Sequence, residues 1–279
     1  MDQVRTRAAP YLDAIGRGLR ADVAIYALTA AYVLAGYLFL SNKDYLAFGS
    51  LDAYFSVWSI NYGVIGPYFM AVVGVAHILI RLDKRRGLAF RALLGPRQVG
   101  RMVAGTILLL TALLVFTAMF SAIKSSFPID NGFPFDRVLA DIDRALHFGV
   151  KPSHWLYAFA GDPTVLRLLE WNYNVLWFVI SYFALYWVVI SPRNETIRVR
   201  YVLTWMICWI IIGNIMAGSW LSAGPAFYGR VTGDTLRFAE QASLLASSAG
   251  QANSATTFQA YLWQLYHTGQ AGLGSGISA

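Results

Sequence analysis

VAGTILLLTALLVFTAMFSA, running from Val103 to Ala122, carries no charge along its whole length, and its reading decides the fold. A helix rises about 1.5 Å per residue, so a run of this length crosses about 30 Å of hydrocarbon. Lipid admits only helices or closed barrels, because every backbone N–H and C=O must find its partner inside the segment. Four further runs have the same character: Val23 to Leu40, Asn61 to Ile80, Leu176 to Ile190 with its start near Leu168, and Val202 to Leu221. The expected fold class is an all-α integral membrane protein of five transmembrane helices. Residues 1–122 form an N-terminal three-helix membrane module, 123–167 an outer interfacial helical loop, and 168–279 a core of two transmembrane helices plus an outer tail.

Composition agrees. Hydrophobic residues make up 57% of the chain and charged residues only 13%, a balance foreign to soluble domains, and 9 Trp and 16 Tyr suit the headgroup belts. The net charge of +7 does not point to nucleic acid, because the basic residues are not interleaved with aromatics on a solvent-facing surface. They read as loop charges. Arg5, Arg7, Arg17 and Arg20 precede the first run, and Arg81, Lys84, Arg85, Arg86, Arg91, Arg97 and Arg101 separate the second from the third. Arg193, Arg198 and Arg200 precede the fifth. Short basic loops stay inside, so these regions are expected to be cytoplasmic. Lys43 stands alone in the first outer loop, and alternation places the 123–167 loop and everything after Leu221 on the periplasmic or extracellular side. A bacterial inner membrane is the expected location. The first run ends in Tyr37-Leu-Phe-Leu-Ser-Asn-Lys43 without a small-x-small cleavage site, which reads as an uncleaved anchor.

The 123–167 loop has its own organisation. Phe135, Val138, Leu139, Ile142 and Leu146 recur at helical spacing, with Asp136, Arg137, Asp141 and Arg144 on other faces, which predicts an amphipathic helix lying in the interface. Gly149 is placed to cap its C-terminus, and Ser153 of Lys151-Pro-Ser-His-Trp155 to start a second short segment. Asp136, Asp141 and Asp143 are candidate acid–base groups. The competing reading is a solvated face paired locally with Arg137 and Arg144. Within or beside the runs, His77, Asn214 and the group Glu170, Asn172 and Asn174 are polar, with Glu170 spaced to meet Arg167. Asn214, next to Gly213 and near Gly218, reads as an interhelical hydrogen-bonding position.

Metal and cofactor chemistry finds no foothold. The histidines are His77, His147, His154 and His267, the one cysteine is Cys208, and no zinc spacing, phosphate-binding glycine loop or Gly-x-Ser-x-Gly turn is present. No metal, no cofactor and no disulfide are expected.

Specific resemblance appears after the fifth run. Ser222-Ala-Gly-Pro-Ala-Phe-Tyr228, helical stretches near Thr235 to Ser247 and Thr256 to His267, and Ala271-Gly-Leu-Gly-Ser-Gly-Ile-Ser-Ala279 together resemble the phosphatidic acid phosphatase type 2 (PAP2) superfamily. Phe133-Pro-Phe-Asp-Arg137 and Asp143-Arg-Ala-Leu-His-Phe-Gly149 resemble its branch of fungal inositol phosphorylceramide synthases, the inositolphosphotransferases. The resemblance implies metal-free phosphate-ester chemistry on lipids, with phosphatidylinositol as a permitted donor and ceramide as acceptor. In that chemistry one histidine attacks phosphorus, a second protonates the leaving alkoxide, and basic residues with backbone donors hold the phosphate oxygens. In relatives the Gly-Ile-Ser-Ala run leads into a Pro-Ser-x-His motif that carries the acid, and a later motif supplies the attacking histidine with an aspartate partner. Neither is found within these residues, so the expectation is a truncated member that is inactive as written and has no assignable catalytic residue. The basic first motif of the family is replaced by Gly224-Pro-Ala-Phe-Tyr-Gly-Arg230. Arg230 and Tyr228, with Gly224 and Pro225, are the candidate substrate-binding residues, whereas His267, a replacement acid by type alone, falls on the Phe258, Leu262, Leu265 helix and reads as an interfacial or capping histidine. Two alternatives stand beside this: a non-catalytic membrane binding or assembly module, and a small transporter component using His77, Asn214 and the outer carboxylates.

Overall fold

The computed structural model describes residues 2–43, 50–82, 84–150, 154, 157, 159–269, 272–274 and 277. Among them every regular element is helical. In chain order these are α1 (Asp2–Ala21), α2 (Val23–Ser41), α3 (Leu51–Arg81), α4 (Arg86–Asp130, with a turn at Leu94 and Gly95), α5 (Asp136–Leu146), α6 (Pro163–Ile190), α7 (Pro192–Ser219), α8 (Tyr228–Thr232), α9 (Ala239–Ala246) and α10 (Ala255–Thr268). Helices α2, α3, α4, α6 and α7 are each long and apolar enough to cross a membrane, so the chain is a multi-pass membrane protein. Helix α4, which contains the Val103–Ala122 run, is the most buried of the five; the others leave most of their apolar surface exposed, as lipid-facing helices do.

The helices fall into two compact units: residues 1–38, 50–119 and 183–207, and residues 39–49, 120–182 and 208–279.

The first unit is built on small residues. A Cβ at Gly100 would lie 2.5 Å from that of Ala14, and one at Gly18 would lie 2.7 Å from that of Ala104, so α1 and α4 touch nearly backbone to backbone. Leu108, Leu109, Leu113, Phe116, Val189, Val202 and Met206 are fully buried there. Helix α3 widens to a π-helical turn over Ser59–Ile65, and Tyr62 stacks on Tyr186 with centroids 5.6 Å apart.

The charges of this unit correct the loop-charge reading. Arg101 and Arg198 are not solvated: both are buried, and both bond the same carboxylate, that of fully buried Asp22, through Arg101 Nη2 at 2.6 Å and Arg198 Nε at 2.8 Å. Asp22 sits at the corner between α1 and α2, and the triad fastens that corner to α4 and α7. Guanidiniums this far from water persist only when paired, so these two positions join the α1–α2 corner to α4 and α7 through Asp22. His77, by contrast, is exposed on α3.

In the second unit, α5 appears where the apolar spacing puts it. Val138, Ile142 and Leu146 are exposed on one face. The helix stops at Phe148 (φ +56°) and Gly149 (φ +85°), whose N–H bonds the Arg144 carbonyl at 2.8 Å, so the glycine cap forms as expected. Ser153, with Lys151, Pro152 and Trp155, lies outside the described residues, as does most of the Ala271–Ala279 segment. Helix α6 is started by Asp162, whose carboxylate accepts from Thr164 N–H at 2.7 Å and Val165 N–H at 3.2 Å, ahead of Pro163. Ser254 caps α10 in the same way, through Thr257 N–H. Buried Asn214 lies within the π-helical stretch of α7, and the Gly213 beside it packs against Phe120, where a Cβ would come within 2.6 Å of the ring.

Candidate functional site

The residues that follow α7 do not trail away from the membrane as a free tail. Phe135 N–H bonds the Leu221 carbonyl at 3.3 Å, and the first residue of α5, Asp136, turns its carboxylate into the Ser222–Gly224 turn. That carboxylate accepts from Ser222 Oγ at 2.9 Å, Ala223 N–H at 3.2 Å and Gly224 N–H at 3.2 Å, and Asp136 is only 3% exposed. Gly224 has φ +73°, a conformation that few side chains tolerate, and it points two successive N–H groups at one anion. Asp136 is therefore not the solvated, locally paired residue the spacing suggested.

From this anchored turn the chain enters α8. Tyr228 is buried, its ring lying against Phe238 (5.1 Å) and beneath the Arg237 guanidinium (5.7 Å). Arg237 Nη1 meets Asp141 at 2.7 Å, so Asp141 pairs across to the tail and not with its helical neighbours Arg137 and Arg144. The hydrogen bond to Asp141, with a further one to Tyr228, raises the Arg237 pKa, and this cation keeps its charge at any working pH. Arg137 in turn donates to the Thr232 carbonyl at the end of α8, at 2.7 Å. Asp136, Arg137 and Asp141 thus tie α5 to the turn before α8, to the end of α8 and to the segment that follows it.

Arg230 faces outward from this frame. It is exposed, one turn beyond the buried Phe227, and its guanidinium lies 5.0 Å from the ring centroid of Trp263 on α10. Phe227 stacks on the same indole, and the His267 ring meets it edge-on at 4.6 Å. Ala223, Phe227 and Ile277 form the buried centre beneath, with Phe133, Val231, Leu262, Trp263 and Tyr266 packed around it. Of the four expected substrate contacts, Arg230 and Pro225 are exposed, Gly224 is half-buried with its N–H bound to Asp136, and Tyr228 is buried. The N–H groups of Ala223 and Gly224 and the Ser222 hydroxyl are filled by the Asp136 carboxylate.

Glu170 is also buried, and bonds Ser248 Oγ at 2.7 Å and Ala255 N–H at 2.8 Å; the expected partner, Arg167, is exposed. Asn174 donates to the Asn253 carbonyl at 3.0 Å. These bonds hold the α9–α10 connection against α6. The histidines stay apart. His147 bonds the Asp143 carbonyl at 2.7 Å, His154 lies 3.3 Å from Glu240, and His267 sits on Trp263; among the described residues no two histidines touch. No group of three or more His, Cys, Asp or Glu capable of holding a metal occurs among the described residues.

The sequence reading missed Trp263, Arg237 and the partners of Asp136 and Glu170. Helical spacing marks which residues share a helix face, but the contacts of Asp136 and Glu170 join positions 78 to 88 apart in the chain, where no local pattern reports.

The fold defines a class, the all-helical multi-pass membrane proteins. Within it, residues 137–267, which run from α5 to the end of α10, match the family model of the PAP2 superfamily. Comparison with curated proteins and with solved structures found no match. The matched stretch contains Arg137, Asp141, Arg230, Arg237 and Trp263, and so most of the frame just described.

Proposed function

We propose that the chain binds lipid-linked phosphate esters as a PAP2-type phosphatase or phosphotransferase does, in the inositolphosphotransferase manner, at the outer membrane face, with phosphatidylinositol or another lipid phosphate as donor. The observation that carries this reading is Arg230: an exposed guanidinium held against Trp263, on an anchored turn, inside the stretch similar to PAP2 proteins. In this account Arg230 meets the phosphate oxygens, Gly224 and Pro225 shape the turn beside it, and Tyr228 acts beneath by holding Arg237 in place. Exposed apolar residues of α5 rest in the interface, where a lipid phosphate is presented at headgroup depth.

A second reading, a binding module without turnover, is favoured by the separation of the histidines. In-line transfer through a phosphohistidine needs two histidines within reach of one phosphorus, and His147, His154 and His267 are each engaged by a different group. We therefore expect these 279 residues to bind lipid phosphate without releasing product.

The test uses the purified chain in mixed micelles. Phosphatidylinositol or phosphatidic acid should bind, Arg230→Gln should weaken binding by roughly tenfold, as loss of one charge-assisted contact does, and no phosphate should appear. Equal affinity in wild type and Arg230→Gln would remove Arg230 from the site. Phosphate release by wild type that vanished in His267→Ala would refute the binding-module reading.

A further inference from the structure

The Asp22 triad of the first unit is out of charge balance. Two guanidiniums share one carboxylate: Arg101 is 4% exposed, Arg198 2% and Asp22 0%. Arg101 also donates from Nη1 to the Gly18 carbonyl at 3.2 Å, but Arg101 Nε and Arg198 Nη1 are buried with no acceptor. A buried N–H on a charged group without an acceptor is strongly unfavourable, and so is an uncompensated buried charge. One further oxyanion would remedy both.

The surroundings favour the same ligand. Along residues 13–22, 97–101 and 193–200, which the triad and the Arg97–Glu195 pair bring together, stand seven arginines and three carboxylates. Asp13 and Glu195 are taken by Arg17 and Arg97, while Arg20, Arg193 and Arg200 are exposed and have no carboxylate partner among the described residues. Basic pockets between transmembrane helices, close to their ends, are where anionic headgroups bind.

We propose that Arg101 and Arg198, held apart by Asp22, form a receptor for one phosphate-bearing anion, either the headgroup of an anionic lipid or inorganic phosphate. Its oxygens accept from Arg101 Nε and Arg198 Nη1, and its charge balances the second guanidinium. A planar guanidinium suits a tetrahedral oxyanion, and the donors lie beneath the surface, so the bound anion exchanges slowly and is retained through purification. This site does not depend on the PAP2 reading, which rests on Arg230.

The experiment is native mass spectrometry of the purified full chain, delipidated and then exposed to phosphatidylglycerol, phosphatidylcholine or inorganic phosphate. The expected result is one retained phosphatidylglycerol or phosphate and no retained phosphatidylcholine. Retention should fall about tenfold in Arg198→Gln. Asp22→Asn leaves both guanidiniums in place and should retain the anion at least as well as wild type, which keeps the test open where Arg198→Gln fails to fold. Preference for phosphatidylglycerol over free phosphate assigns the headgroup, and the reverse assigns the free ion. Equal retention of phosphatidylglycerol and phosphatidylcholine without a phosphate adduct would overturn the proposal. So would a melting point lowered in Arg198→Gln without any change in retention, or anion lost from folded Asp22→Asn.

Discussion

Asp136 accepts the N–H of Gly224 at 3.2 Å across 88 positions of sequence, so the start of α5 and the turn after α7 form one structural element. The same carboxylate takes Ser222 and Ala223, and removing it strands all three donors. Asp136→Ala should therefore destabilise the second unit by about 2–4 kcal/mol, with Asp136→Asn costing less because one oxygen remains to accept. Thermal unfolding in detergent measures both. A loss confined to within experimental error for the alanine variant would show that the turn holds without its anchor.

Glu170 makes the corresponding anchor for the α9–α10 connection, through Ser248 and Ala255. Glu170→Ala should loosen this connection, at a cost of about 2–3 kcal/mol, and expose residues 249–253 to limited proteolysis. Cleavage there should accelerate well before the transmembrane helices unfold, and a cleavage pattern identical to wild type would contradict the assignment.

Two glycines of the α1–α4 pair should respond in opposite directions. A Cβ at Gly100 meets Ala14 at 2.5 Å, with backbone close behind at 3.0 Å, so Gly100→Ala must push the helices apart and should cost about 1–3 kcal/mol. At Gly16, only the tip of the Arg20 side chain comes within 4 Å, at 3.9 Å. Gly16→Ala should stabilise α1 by about 0.5–1 kcal/mol, from helix propensity alone. Melting temperatures of the two variants should thus bracket that of wild type.

Acid should weaken the start of α6. The N–H groups of Val165 and Thr164 hold the Asp162 carboxyl below its ordinary value of 3.8, so the folded state favours the ionised form. For a depressed folded pKa, the stabilisation is complete above the unfolded value and is lost as pH falls through the folded one. The advantage of wild type over Asp162→Ala in melting temperature should hold above pH 3.8 and shrink below it. Asp162→Asn, which caps without titrating, should show no such acid-dependent change.

Several elements were legible residue by residue. The uncharged Val103–Ala122 run marked the most buried helix, Val138, Ile142 and Leu146 marked the exposed face of α5, and Gly149 marked its end, because apolar spacing and left-handed backbone are local properties. Charges were read less well. Counting Arg101 and Arg198 with the loop arginines rests on composition near a helix end, whereas their burial follows from a single aspartate, Asp22, far away in sequence. Asp141 and Glu170 show the same limit: their i,i+4-type neighbours were available, but Arg237, just before α9, and Ala255, at the start of α10, hold them.

The sequence by itself determined that this chain has five apolar runs long enough to cross a membrane, where α5 begins and ends, and that the stretch after the fifth run resembles PAP2 proteins. These depend on hydrophobic length, backbone preference and motif, all of which are written locally. Tertiary structure alone decided which charges are buried, which aspartate closes the Ser222–Gly224 turn and which indole carries Arg230. The reason is physical: in an apolar medium each ionic group must find its partner wherever the packed helices bring one, and that distance is set by packing, not by position along the chain.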